Sequence, residues 1–135
     1  MSQALGMGEH AEVVGEVEAA YRRYVEVFNS RDPVGIASLY DRPHGQVVGA
    51  AGMSVVHDDA EQAAWLEVVF AFLDGQGWGR TEIDELHVVP LSPVLAHLAA
   101  TVTRYRTDGS VLQQVTANYT LRRGGDGWKV VLTFS

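Results

Sequence analysis

Tyrosine and histidine are the side chains of this sequence best suited to handling protons, and Tyr24, Tyr40 and His44 fall within one short stretch of it. A phenol kept from water but hydrogen-bonded is a good donor to a developing oxyanion. An imidazole titrates near neutral pH and can act as general acid or base. Each has an ordinary alternative: Tyr24 shares an aromatic stripe with Tyr21 and Phe28 and can simply pack, and His44 can be an exposed loop residue. Asp41 can orient His44 or cap the turn before Pro43. No metal site is expected, because His57, His87 and His97, taken with Asp58 or Asp59, show no helical ligand spacing. The absence of cysteine removes thiolate zinc sites, cysteine nucleophiles and a disulfide framework together.

The chain that must position these groups has 135 residues, enough for one domain that buries roughly two-thirds of its unfolded surface. A single domain over 1–135 is the expectation, with about residues 1–11 fraying. The net charge of −7 repels phosphate backbones, and nine arginines and one lysine form no basic stripe beyond the doublets Arg22-Arg23 and Arg122-Arg123. Nucleic acid is therefore not expected as a partner. Charged residues interrupt every apolar run before the roughly 20 residues needed to span a bilayer. Met1 to Glu12 lacks a basic cluster followed by an apolar block, so cytoplasmic residence is the default. The preference for Ala, Val, Gly and Arg over Lys is what GC-rich bacterial genes tend to encode.

Apolar residues at Val13, Val14, Val17, Ala20, Tyr21, Tyr24, Val25 and Phe28 predict a one-faced helix over 12–29. Asp32 as N-cap and Pro33 at the first helical position predict a short second helix to about Tyr40. Residues 40–45 read as a loop, followed by short strands over 46–50 and 53–56. Asp58 and Glu61 have capping-box spacing and open a third helix, through Trp65 and Phe72, that stops at Gly75. The period then changes to two, which predicts strands over 81–89, 94–107, 111–123 and 128–134. Asp108-Gly109 signals a hairpin, and Gly124 to Gly127 a longer loop. Leu98, Ala100 and Val102, then Val115, Ala117, Tyr119 and Leu121, then Val130, Leu132 and Phe134 would form the apolar face that meets the helices. Helices first and a curved antiparallel sheet after them is an α+β order.

The run Arg23-Tyr24-Val25-Glu26-Val27-Phe28-Asn29-Ser30-Arg31-Asp32, continued without a gap through Ile36 and Leu39 to Tyr40, resembles the start of delta-5-3-ketosteroid isomerases and SnoaL-like proteins. Arg104-Tyr105 before Asp108-Gly109, and Asn118-Tyr119-Thr120-Leu121-Arg122-Arg123 running into Gly127-Trp128-Lys129-Val130, are similar to the same nuclear transport factor 2-like superfamily. The resemblance implies an α+β cone in which a bent sheet wraps a long helix and leaves a blind pocket. It places an oxyanion-donating tyrosine on Tyr24 and its supporting tyrosine on Tyr40. It places the isomerases' general base on or beside Val48, and their protonated acid near Ala117 or Asn118, where no carboxyl group stands. Steroid isomerisation is thus not expected.

His44, in the loop leading to the base's strand, becomes the acid–base candidate. Phe28, Trp65, Val102, Asn118 and Tyr119 would bind the substrate, although the parity of Asn118 puts it with Thr116 and Thr120, opposite the apolar set, unless a bulge turns it inward. The implied activity is cofactor-independent acid–base chemistry of the isomerase, cyclase, dehydratase or hydrolase kind on a small hydrophobic or polyketide-like molecule, as in bacterial secondary metabolism. The alternative is a non-catalytic binding or assembly domain of the same fold. A homodimer through the outer face of the sheet is expected in either case.

Overall fold

The computed structural model describes residues 5–135. Helix α1 runs Met7–Asn29 and buries Val13, Val17, Tyr21 and Val25, one residue per turn along a single stripe. Of the segment expected to fray, residues 1–4 lie outside those described and residues 7–11 are helical, their side chains exposed. Asp32 caps α2 (Pro33–Ala37) by accepting from the Val34 N–H, and the helix ends three residues before Tyr40. The earlier end has a specific cause: the Leu39 carbonyl accepts from Val130 N–H at 2.9 Å, which draws the chain into a strand.

That strand, β1 (Tyr40–Val48), includes the stretch expected to be a loop. Pro43 falls where the register between Tyr40 and Gly45 is irregular, so its missing N–H breaks no regular ladder. A short 3₁₀ turn over Gly49–Ala51 leads to β2 (Gly52–Val56). Asp58 then caps α3 (Asp59–Gly75) through Glu61 N–H at 2.9 Å. The capping box is only half formed, because the Glu61 carboxylate turns to the backbone and ring of His57 instead of the cap residue.

Strands β3 (Trp78–Ser92), β4 (Leu95–Arg106), β5 (Val111–Gly124) and β6 (Gly127–Phe134) follow as an antiparallel meander. Gly109, at φ 88°, and Asp108, whose carboxylate takes both the N–H and the hydroxyl of Ser110, make the β4–β5 turn. The loop expected over Gly124–Gly127 is tighter than that, since Gly124 and Gly127 already pair. The six strands lie in the order β2-β1-β6-β5-β4-β3. The β1–β6 contact is parallel and makes the sheet mixed.

The inner face of the sheet packs on α1. Ala96, Leu98, Ala100 and Val102 of β4, Leu121 of β5 and Val130 of β6 are all buried there. Leu132 and Phe134 do not continue this face as the alternation predicts. A register shift between Thr120 and Leu121 leaves Val131 as the extra residue of β6, so Leu132 pairs with Thr120 and Phe134 with Asn118, on the outer side. Trp128 ties β6 back to α1 by donating from Nε1 to the Glu16 carboxylate at 2.8 Å.

Candidate active site

The inner face and the helices enclose a cavity of about 530 Å³, within the usual size of small-molecule sites. Its floor is aromatic and aliphatic: Tyr21, Tyr24 and Phe28 from α1, Tyr40 and Val48 from β1, Trp65 from α3, Val102 and Tyr119 from the sheet. Val68 and Phe72 of α3 line it too and remain exposed, so α3 forms an apolar rim.

The Tyr24 and Tyr40 hydroxyls meet at 2.8 Å. Their rings are edge to face at 5.7 Å, and Tyr119 packs edge-on to Tyr24 at 6.0 Å. Within such a pair one hydroxyl donates to the other, and one proton remains for a ligand oxygen. Burial, followed by the charge that neighbouring phenols would carry, holds both groups well above the ordinary tyrosine value. They are neutral donors throughout the physiological range.

His44 is a strand residue and is buried, not a loop residue at the surface. It lies behind the cavity wall, 4.6 Å from the Tyr40 ring and 5.3 Å from the Trp65 ring between centroids, and is not among the lining residues. Its Nε2–H donates to Gln62 Oε1 at 2.7 Å, while Nδ1 has no partner. Burial depresses its pKa below the ordinary 6.5, against the opposing pull of Gln62. A neutral, bare-Nδ1 imidazole beneath Tyr40 is suited to holding that ring in place. Asp41 does not reach it, since its carboxylate takes Arg122 Nη2 at 2.8 Å.

The Asn29-Ser30-Arg31-Asp32 run ties the end of α1 to β3 and α3. Asn29 Nδ2 donates to the Thr81 carbonyl at 2.8 Å, and Asn29 Oδ1 accepts from Thr81 N–H at 2.9 Å. Because β3 is an edge strand, Asn29 supplies the partners that a further strand would. Arg31, at φ 58°, lies over the Phe70 and Trp78 rings and pairs with Asp74 at 2.8 Å. Thr81 itself lines the cavity.

Residues 12–135 match the family described as NTF2-like protein (DUF6841). The chain belongs to this NTF2-like family. Similar solved structures include an NTF2-like protein with a cystatin-like fold from Novosphingobium aromaticivorans, at 18% identity and TM-score 0.70 over 92% of this chain and 80% of that one. Aln2 from a Streptomyces species aligns at 20% identity and TM-score 0.68 over 91% and 88%. A ketosteroid isomerase-like protein from Erwinia carotovora atroseptica aligns at 22% identity and TM-score 0.60 over 89% and 92%. No curated protein matches the sequence. At these identities the structural likenesses speak for the fold.

Within this NTF2-like chain the cavity gathers Tyr24, Tyr40, Phe28, Trp65, Val102 and Tyr119. Asn118 borders it, but its amide oxygen accepts from His97 Nε2 at 3.2 Å across the outer face, so no bulge turns the side chain inward. Val48, on or beside which the resemblance places the isomerases' base, lines the cavity as a valine. Among the described residues no three His, Asp or Glu side chains group as metal ligands, and no helix is long and apolar enough to cross a membrane. The lining residues that sequence reasoning passed over are chiefly Tyr21, Thr81 and Arg104. For Arg104 a signal existed, since it has the parity of Ala100 and Val102 on a predicted strand.

Proposed function

We propose that this protein takes up a small, hydrophobic, ring-bearing molecule of polyketide-like kind and polarises one of its oxygens through the Tyr24–Tyr40 pair, in cofactor-independent acid–base chemistry of the isomerase, cyclase or dehydratase type. The observation that carries the reading is the 2.8 Å hydroxyl pair in the wall of an otherwise apolar cavity. Such donors, fixed before the reaction and shielded from water, stabilise charge as it forms on a carbonyl oxygen. Tyr24 and Tyr40 are the proposed catalytic residues, and Phe28, Trp65, Val102 and Tyr119 shape the ligand. His44 is assigned to positioning Tyr40.

A second reading, binding without turnover, draws on Val48 and on the placement of His44, which leave no basic side chain in the wall at the base position. Deuterium uptake from D2O into 2-tetralone, followed by NMR, separates the two. On the catalytic reading the protein accelerates exchange, with solvent or buffer base taking the α-proton while the Tyr24–Tyr40 pair holds the enolate oxygen, and Tyr24→Phe slows it on the order of 100-fold. Exchange at the buffer rate by a protein that binds the ketone would refute catalysis and leave binding.

We also place a homodimer interface on the outer face of the sheet, where the β6 bulge presents Leu132 and Phe134 beside Thr101, Thr116, His97 and Asn118. Apolar side chains among hydrogen-bonding ones suit a partner surface. Sedimentation showing only monomer at micromolar concentration would overturn this assignment.

A further inference from the structure

Arg104 is the one charged side chain among the residues that line the cavity. Its register, opposite Thr81 on β3 and Gln113 on β5, places it on the inner face two residues beyond the buried Val102. Arg31, Arg42, Arg80, Arg122 and Arg123 each pair with a carboxylate. Among the described residues Arg104 pairs with none. A guanidinium carries five N–H donors, and one that lies half-buried in an apolar wall without a carboxylate is a ready partner for an anionic ligand.

The groups around it supply no such anion. Tyr21 and Tyr119 are near enough that the charge of Arg104 tempers the rise in their pKa values, yet burial keeps both protonated and neutral. Thr81 accepts at Oγ1 from Trp78 Nε1 at 3.0 Å, which leaves its hydroxyl proton available to a cavity oxygen. A fork of cationic donors and a neighbouring hydroxyl at one end, with aromatic walls beyond, suits a planar body bearing a carboxylate.

We infer that the cavity selects an aromatic or fused-ring monocarboxylate, with the acid group held by Arg104 and Thr81 and the ring among Tyr21, Phe28 and Tyr119. This rests on the small-molecule reading of the same cavity and names its substrate class.

The test compares 2-naphthoate with its neutral isostere 2-naphthamide by titration calorimetry on the full chain. Hydrogen bonds to a charged partner are worth about 1.5–3 kcal/mol, so the acid should bind about ten-fold to a hundred-fold tighter than the amide. Arg104→Gln should erase that preference by weakening naphthoate alone, Arg104→Lys should restore part of it, and circular dichroism should show both variants folded. The wild-type comparison stands even if a variant fails to fold. Equal binding of acid and amide, with both weakened by Tyr24→Phe, would overturn the role of Arg104 and leave the cavity reading intact. No binding of either probe at millimolar concentration would overturn both. A preference that survives in Arg104→Gln would place the anion elsewhere and overturn the assignment to this residue.

Discussion

Replacing Asn29 by alanine should unfold the protein at a markedly lower temperature, though Asn29 carries no charge and is only half-buried. The side chain makes two hydrogen bonds of 2.8 and 2.9 Å to one peptide partner, and both bridge α1 to the edge strand β3. At about 0.5–1.5 kcal/mol for each bond, with the Thr81 groups left short of partners, the loss comes to about 2–3 kcal/mol. For 135 residues the unfolding entropy is about 0.28 kcal/mol/K, so the midpoint should fall by roughly 7–11 °C.

Asn29→Asp makes the test sharper. The carboxylate still accepts from Thr81 N–H but faces the Thr81 carbonyl without a proton to donate. Its deficit should shrink as pH falls below about 5 and the acid gains an O–H. Differential scanning calorimetry between pH 4 and 8 reads both effects. A fall of less than about 2 °C for Asn29→Ala, or an Asn29→Asp deficit that ignores pH, would refute the reasoning that this amide stands in for a missing strand.

Other outcomes follow from the same geometry. His44 is held neutral in the folded state, so its contribution is complete above the unfolded value near 6.5 and is lost as pH falls through 6.5 toward the depressed folded pKa. Urea titrations of the wild type and His44→Phe should therefore differ in slope with pH only below 6.5, and parallel curves there would contradict the assignment. Gly79→Ala should cost about 1–3 kcal/mol, because the new Cβ would stand 3.0 Å from the Thr107 backbone, which cannot step aside cheaply. Gly45→Ala should cost less in the same urea titration despite a nearer approach of 2.7 Å, since the atoms it meets are the side-chain ends of Leu132 and Met53; the reverse ranking would be wrong for this fold. Tyr24→Phe should leave the midpoint within about 5 °C of wild type, one hydroxyl's worth, and a larger drop in calorimetry would mean that the pair is structural.

Local signals were the readable ones. The α1 stripe, the Asp32 and Asp58 caps, the stop at Gly75 and the Asp108-Gly109 turn each depend on residues within a few positions of one another, and each stands where periodicity put it. What the sequence hides is set across the chain. Tyr40 to Gly45 reads as a loop because Pro43 and Gly45 are turn formers, yet β6 recruits it as strand. Nothing in the alternation of β6 announces the extra residue Val131, so two of its apolar side chains change faces unannounced. His44 and Gln62 meet across two elements, a pairing with no spacing rule behind it. Arg104 was legible by parity alone.

The parallel contact between β1 and β6 also orders events in time. The meander from β3 to β6 joins neighbours in the chain, whereas Tyr40 finds its partner only at Val130. Closing so long a loop is slow, because its entropy is spent before the contact repays it. On the ribosome, β1 has only β2 beside it until β6 emerges. Tyr40 and the Trp65 ring that packs on it at 5.2 Å are thus expected to be the last parts of the wall to assemble. In refolding, Trp65 emission should reach its native value after that of Trp78 and Trp128, and a chain cut short before β6 should fail to bring Tyr40 to Tyr24.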